Sequence, residues 1–585
     1  KAAVEQAGIP AQVARIEPPT PVEEAVALDP ALGPVADLGQ DLLAAAGDRA
    51  LQSSLAQVLS ECQGVPLQEA AARAVVTVPE SRPGKRAEVG RAGLKHLKHD
   101  VALKMVDGLP SDQSKANVAL AALQGADLPG MLASMEGADK GRASKVALDA
   151  IAPQYPEHAR VGRAMSGAAS DDVPRGALVE GFVAATLSGA NLESAVLAGL
   201  DAAPADYPGN LSAMAQAAVR VLPRLSLTRT AVSASSDDTC KNAMIRTALK
   251  AAQEDRAPGP LAVELLASIP SSFPGNRHQV SMALLRALRG DAQVSPWVGL
   301  ADSLVREASD EGVQTGLVDY VLRAGLRGDS LPQTALGAIQ NIPTDYPGNR
   351  AAVSRGAVQA LEGDPQVGGY CQLGRRLIRA LSDETLGTNM AISVLESGLA
   401  GRTLVDTARA AIDTIPSDYP GNRCAVALAI LNELADGPEV AMARQMVRAC
   451  SDDGCKTAVS LAVLKVVSAG VEQPLALTAK ALLEALPQDY PGNRHAAGQA
   501  LLKEMRAHFG DPDASSVIDG ALLRMQNGNA APAVEALQQL VVMKSTRQQV
   551  EELHAAVTGE AGVGGVEERG QVVIIGGVRV KVKKQ

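Results

Sequence analysis

The nine residues IPTDYPGNR at Ile342–Arg350 decide how this chain is read, because they return at a nearly fixed interval. Close copies are IPSDYPGNR at Ile415–Arg423 and LPQDYPGNR at Leu486–Arg494; IPSSFPGNR (Ile269–Arg277) and APADYPGNL (Ala203–Leu211) are weaker. APQYPEHAR (Ala152–Arg160) and VPESRPGKR (Val78–Arg86) are degenerate. With the second proline as marker, the copies fall at Pro83, Pro156, Pro208, Pro274, Pro347, Pro420 and Pro491, at intervals of 73, 52, 66, 73, 73 and 71 residues. Self-similarity at such a period marks an array of stacked structural units.

A second marker, Ser-Asp, stands at Ser111, Ser170, Ser236, Ser309, Ser382 and Ser451. From each serine to the next marker proline the distance is 45, 38, 38, 38, 38 and 40 residues, and from the preceding proline it is 28, 14, 28, 35, 35 and 31. The second half of a unit is thus nearly constant, and the unit after Pro156 reads as one that has lost most of its first half. GDRALQSSLAQVL, from Gly47, resembles a second half, so the array starts near Asp48; its last recognisable helix lies near Ala531–Met543.

Within Asn276–Pro343, four stretches of 11–14 residues carry apolar residues at spacings of three and four: RHQVSMALLRAL, WVGLADSLVREA, VQTGLVDYVLRAGL and LPQTALGAIQNI. That is the stripe of an amphipathic helix, and short breaks with Gly, Asp, Ser or Pro separate the stretches. A helix pair of this kind buries its stripe only by stacking on the next pair. The expected fold is all-α: a right-handed α-solenoid of ~73-residue units, each of about four short helices, with a small C-terminal β-hairpin. The expected domains are a Pro-rich extended arm (1–40), the helical array (41–557), a Gly-rich linker (558–570) and a β-hairpin docking tail (571–585).

The recurring phrase has a mechanical reading. Pro343 discourages continuation of the preceding helix. Pro347-Gly348 suits the centre of a type II turn, and Asn349 then falls where an N-cap belongs. Tyr346 is large enough to plug the seam between Ala-rich helix pairs, and Asp345 and Arg350 are placed to pair across the turn. The corner set comprises Tyr155, Tyr207, Phe273, Tyr346, Tyr419 and Tyr490; Asp206, Asp345, Asp418 and Asp489; Asn210, Asn276, Asn349, Asn422 and Asn493; and Arg277, Arg350, Arg423 and Arg494. The Ser-Asp marker reads as an N-cap followed by acids in a first helical turn, where the helix dipole favours them. The competing reading is a ligand ladder with one rung per unit. Ser272 and Phe273 replace Asp and Tyr together, and Leu211 replaces Arg, which a turn tolerates better than a ladder does.

Composition narrows the function classes. Only 7 Tyr, 3 Phe and 1 Trp occur in 585 residues, so the core must be Ala, Val and Leu, and an aromatic-lined small-molecule pocket is not expected. A net charge of −10 without a concentrated basic surface argues against direct nucleic-acid binding. No run of 18 uncharged apolar residues exists, so no transmembrane segment is expected. The sequence starts at Lys1 without Met, which reads as processing or trimming and leaves a cleaved signal peptide open. The compartment stays open as well: a virion, a cell-envelope or periplasmic assembly, and the cytoplasm all fit a soluble chain.

No Walker A loop, nucleophile elbow, H-E-x-x-H or C-x-x-C pair occurs, so no catalytic, cofactor or metal residue is nominated and no enzymatic activity is expected. His96 and His99 lack further zinc ligands nearby and read as a surface helix end. Cys450 and Cys455, five apart across a corner, allow a local disulfide; otherwise they are small buried hydrophobes. At the C-terminus, QVVIIGGVRVKVKKQ joins two β-prone runs through Gly576-Gly577. An isolated two-stranded hairpin is marginal in water, so Val572, Val573, Ile574, Ile575, Val578, Val580 and Val582 are expected to dock on a partner.

In its stacked short helices the array, over about residues 41–555, resembles α-solenoids of the HEAT and armadillo kind, although a four-helix period exceeds their two or three. That resemblance implies scaffolding and protein binding. The expectation is a non-enzymatic structural component of a large assembly (a virion, a cell-envelope machine or a filament), docking through both termini onto other proteins or copies of itself. The alternative is an adaptor that captures peptides or proteins on a concave face.

Overall fold

A computed structural model describes residues 26–469, 474–508, 510–525 and 528–543, and the backbone of two short strands near the C-terminus. The chain divides into two compact units, residues 1–229 with 237–255, and residues 230–236 with 256–585. Among the described residues the array is all-α.

The helices, in chain order, are α1 (Pro34–Ala46), α2 (Arg49–Ser60), α3 (Leu67–Thr77), α4 (Pro83–His96), α5 (Asp100–Gly108), α6 (Asp112–Leu123) and α7 (Leu128–Ala133). There follow α8 (Gly137–Ile151), α9 (Pro156–Ala168), α10 (Asp172–Leu187), α11 (Leu192–Ala202), α12 (Pro208–Val221), α13 (Ser226–Ala234) and α14 (Asp238–Gln253). Next come α15 (Pro258–Ser268), α16 (Pro274–Ala287), α17 (Ser295–Glu307), α18 (Glu311–Arg327), α19 (Leu331–Asn341), α20 (Pro347–Ala360), α21 (Gly368–Ala380) and α22 (Glu384–Leu399). The last are α23 (Leu404–Asp413), α24 (Pro420–Glu433), α25 (Pro438–Ala449), α26 (Asp453–Ala469), α27 (Leu475–Glu484), α28 (Pro491–His508) and α29 (Pro512–Arg524). A further helix covers 531–543.

Packing repeats every four helices. In the first unit, α4 lies on α6, α8 on α10 and α12 on α14, so the first helix of a repeat packs on the third. The second helix meets the first of the next repeat (α5 with α8, α9 with α12), and the fourth meets the next third (α3 with α6, α7 with α10, α11 with α14). The second unit obeys the same rule: α16 on α18, α20 on α22 and α24 on α26, with α17 on α20, α21 on α24 and α25 on α28.

This order corrects the phase of one repeat. Pro156 does not open a repeat; α9, which it starts, is a second helix, and the first helix is α8. The true corner, Glu136–Gly137, has neither proline nor aromatic and could not be seen by matching the phrase. With Gly137 as marker the intervals become 54, 71, 66, 73, 73 and 71, and Gly137 precedes Ser170 by 33 residues, inside the normal range. No half-repeat is missing. The short repeat is instead α4–α7, whose fourth helix has 6 residues.

The arm also ends earlier than 1–40. Pro34 is the first residue of α1, where its missing N–H costs nothing, and Val35, Ala36 and Leu38 are buried. Prolines that read as extended chain here start a helix. Residues 1–25 lie outside the described part.

The core is Ala, Leu and Val, and small residues set how closely helices approach. A Cβ on Gly141 would collide with Asp172 O, and one on Gly176 with Lys140 Cβ, so α8 and α10 touch through glycines. Phe182 on α10 is fully buried in a site shaped by Gly162 and Gly199. Near the C-terminus β1 (Val572–Ile575) pairs antiparallel with β2 (Val578–Lys581), Val573 opposite Val580 and Ile575 opposite Val578. Gly576-Gly577, Val582 and the linker 558–570 lie outside the described residues.

Candidate functional site

The repeated corner is where the sequence concentrates its polar motif, and its geometry differs from the expected turn. Pro347 is the first residue of α20, Tyr346 is the N-cap with φ −113° and ψ 58°, and Arg350 N donates to Tyr346 O at 3.0 Å. The tight turn lies earlier, closed by Tyr346 N donating to Pro343 O at 3.1 Å; Tyr419 to Pro416 and Phe273 to Pro270 repeat it at 3.1 Å. Pro347-Gly348 is therefore a helix start rather than the centre of a type II turn, for the reason that places Pro34 at the start of α1.

Asn349 is correspondingly not an N-cap. It occupies the third helical position, and its Oδ1 reaches back 40 residues to the loop before α18, accepting from Ser309 N at 2.7 Å, Ser309 Oγ at 3.3 Å and Asp310 N at 3.3 Å. The bond recurs at every Asn corner: Asn210 with Ser170 N (2.8 Å), Asn276 with Ser236 N (2.8 Å), Asn422 with Ser382 N (3.0 Å) and Asn493 with Ser451 N (2.6 Å). The two sequence markers are thus two halves of one joint between the first helix of a repeat and the third helix of the repeat before.

The cap of that third helix is the aspartate after the serine. Asp310 Oδ1 accepts from Val313 N at 2.9 Å, Asp383 from Leu386 N at 2.8 Å and Asp452 from Cys455 N at 2.9 Å. At Asp237 the Cys240 amide holds the carboxyl below its usual range. Where the next corner brings no asparagine, before α6, Ser111 itself is the cap and accepts from Ser114 N at 3.3 Å.

The remaining corner residues divide by exposure. Asp345 and Arg350 form no ion pair among the described residues. The arginine turns inward instead: Arg494 Nη1 donates to Leu486 O at 3.1 Å, and the Nε atoms of Arg277, Arg350 and Arg423 are buried without a partner among the described residues. The inward direction explains Leu211, buried at the equivalent position. Three of the tyrosines do not plug a seam. Tyr346, Tyr419 and Tyr490 are 38%, 40% and 38% exposed, since an N-cap side chain lies off the buried stripe. Asp206, Asp345, Asp418 and Asp489 are exposed, while Tyr207 and Phe273 are half-buried. Tyr155, at the start of a second helix, meets His158 edge-on at 5.7 Å.

A second joint escaped the sequence reading. Trp297 on α17 packs on Gly325 of α18 and donates Nε1–H to Asp329 O at 3.1 Å. Tyr370 on α21, 73 residues later, packs on Gly398 of α22 and donates its hydroxyl to Arg402 O. The signal was present as the shared 73-residue offset of Trp297/Tyr370 and Gly325/Gly398, but the aromatic types differ.

All six cysteines are buried free thiols, so Cys450 and Cys455 do not form the local disulfide. Burial pushes Cys371 and Cys455 up to about 12 and Cys424 and Cys450 up to about 11. His96 ends α4 and pairs with Asp41 at 2.8 Å; His99 is the N-cap of α5. Among the described residues no group of three His, Cys, Asp or Glu could hold a metal ion, and no helix is long and apolar enough to cross a membrane. Two surface clefts stand out. One, of about 280 Å³, lies between the start of α18, the end of α19 and Tyr346. The other, of about 690 Å³, runs between α2, α3 and the end of α6, beside Val76 at 54% exposure. Compared with known proteins, the chain matches no family model, no curated protein and no solved structure.

Proposed function

We propose that this chain is a non-enzymatic scaffold: a right-handed α-solenoid that docks into a larger assembly, such as a virion, a cell-envelope machine or a filament, through its Pro-rich arm and its C-terminal strand pair. The observation that carries the reading is the use made of the repeated polar residues. Asparagine and serine spend their hydrogen bonds on the joint between repeats, the aspartate caps its own helix, and the arginine packs inward. What remains on the surface is a series of Asp-Tyr pairs, suited to protein contact rather than to converging on a reacting atom.

The test is the mass of the full chain by sedimentation equilibrium over micromolar concentrations, with solution X-ray scattering for the shape. Concentration-dependent self-association, or co-purification in a defined particle from the native source, supports the reading. A compact monomer that joins no particle refutes it. The adaptor reading is favoured by one feature, the cleft beside the exposed Val76. Peptide capture abolished by Val76→Asp, with no self-association, would move the assignment there.

A further inference from the structure

We propose that the Asp-Tyr edge of the second compact unit is the seat of the C-terminal segment of a second copy of this chain. The inference rests on the assembly reading above and names its contact surface. Three tyrosines, Tyr346, Tyr419 and Tyr490, keep 38–40% of their surface in solvent at equivalent corners of successive repeats. Beside Tyr346 the surface opens into a cleft of about 280 Å³ whose apolar lining includes Val313, Leu317, Ala338 and Ile342. Gly316 keeps it open: a Cβ there would meet nothing within 4 Å. The cleft accepts branched aliphatic side chains.

Charge selects the occupant. Asp345, Asp418 and Asp489 are exposed beside the tyrosines, and Glu311 and Glu384 are exposed at the first positions of α18 and α22. None of these five carboxylates forms an ion pair among the described residues. The complementary segment is in the same sequence. Val578, Val580 and Val582 alternate with Arg579, Lys581 and Lys583, followed by Lys584, which puts four cations in a short stretch of an otherwise acidic chain. A strand that lays its valines against the tyrosines and the cleft turns its cations to the opposite face, from which the long Arg and Lys side chains reach round to the carboxylates flanking the seat. The pair β1–β2 is only two-stranded, too small to be stable alone in water, so docking also supplies the burial it lacks.

The experiment uses full-length chains in sedimentation equilibrium. Wild type is expected to self-associate, at least tenfold more weakly in 500 mM than in 50 mM salt, because the carboxylates are exposed and screened. Edge reversal (Asp345→Lys, Asp418→Lys, Asp489→Lys) and tail reversal (Arg579→Glu, Lys581→Glu, Lys583→Glu, Lys584→Glu) should each weaken association at least tenfold. An equimolar mixture of the two variants should regain it, since the lysine edge of one then meets the glutamate tail of the other. Gly316→Leu, which fills the cleft in open space and retains the helix, should also weaken it with an unchanged circular dichroism spectrum. Association that persists in both reversal variants overturns this seat and leaves the assembly reading standing. A wild-type monomer over the whole concentration range, including one whose tail folds back on its own edge, overturns both.

Discussion

Replacing Asn349 with alanine should loosen one joint without emptying any core. Asn349 Oδ1 accepts one short bond, from Ser309 N at 2.7 Å, and two long ones, from Ser309 Oγ and Asp310 N at 3.3 Å. Each neutral bond is worth ~0.5–1.5 kcal/mol net. Ser309 is exposed and Asp310 half-buried, so water recovers part of the loss. The sum is about 2 kcal/mol of local opening free energy, or about 30-fold in an equilibrium constant. In a repeat array a whole-chain melting midpoint averages over neighbours, so the assay is hydrogen exchange at the Ser309 and Asp310 amides. Both should exchange about 30-fold faster in the alanine variant if the bonds carry this energy. Asn349→Asp keeps the accepting oxygen and adds a negative charge in a first helical turn, where it is favoured, so exchange should stay within about threefold of wild type. Alanine and wild type exchanging alike would refute the joint. Aspartate as damaging as alanine would refute the claim that the oxygen is what matters.

Gly398→Ala places a methyl 2.9 Å from Val367 Cγ1 and 3.1 Å from the Tyr370 ring, so it should cost about 1–3 kcal/mol, read as a lower urea midpoint. Phe182→Ala removes a fully buried ring and should cost about 3–5 kcal/mol, read by exchange of α10 amides. Asp345→Ala, exposed and unpaired among the described residues, should change stability by less than about 0.5 kcal/mol; a larger loss would restore the pairing with Arg350. The buried thiols predict alkaline sensitivity. Cys371 is raised from 9.0 to about 12 in the folded chain, so its contribution is whole below pH 9 and is lost as pH climbs towards 12. The urea midpoint should fall above pH 9, less so in Cys371→Ala, and none of the six thiols should react with an alkylating reagent at pH 8 until the chain is denatured.

Much of the architecture is written locally. Spacings of three and four and a Gly, Asp, Ser or Pro at each break are properties of short windows, and the markers return near every 73 residues, so the helices and the four-helix period can be read from the chain. The corner's chemistry was legible in part. Its residues are visible in the sequence, but the turn and the N-cap both lie three residues earlier than expected, because Pro-Gly suits both a turn centre and a helix start, and only backbone geometry separates the two.

What only the tertiary structure decided lies between distant segments. That Asn349 and Ser309 meet depends on how α20 stacks against the loop before α18, and a 40-residue separation leaves no local trace. The exposure of the tyrosines follows from the same stacking: the joint is closed by small polar atoms, which leaves the ring outside. The phase of the repeat at Gly137 was hidden for a related reason. A corner without proline, tyrosine or asparagine can still start a first helix, provided that helix packs on the third, and there the contact is made by Gly141 and Gly176, residues with no side chain to advertise it.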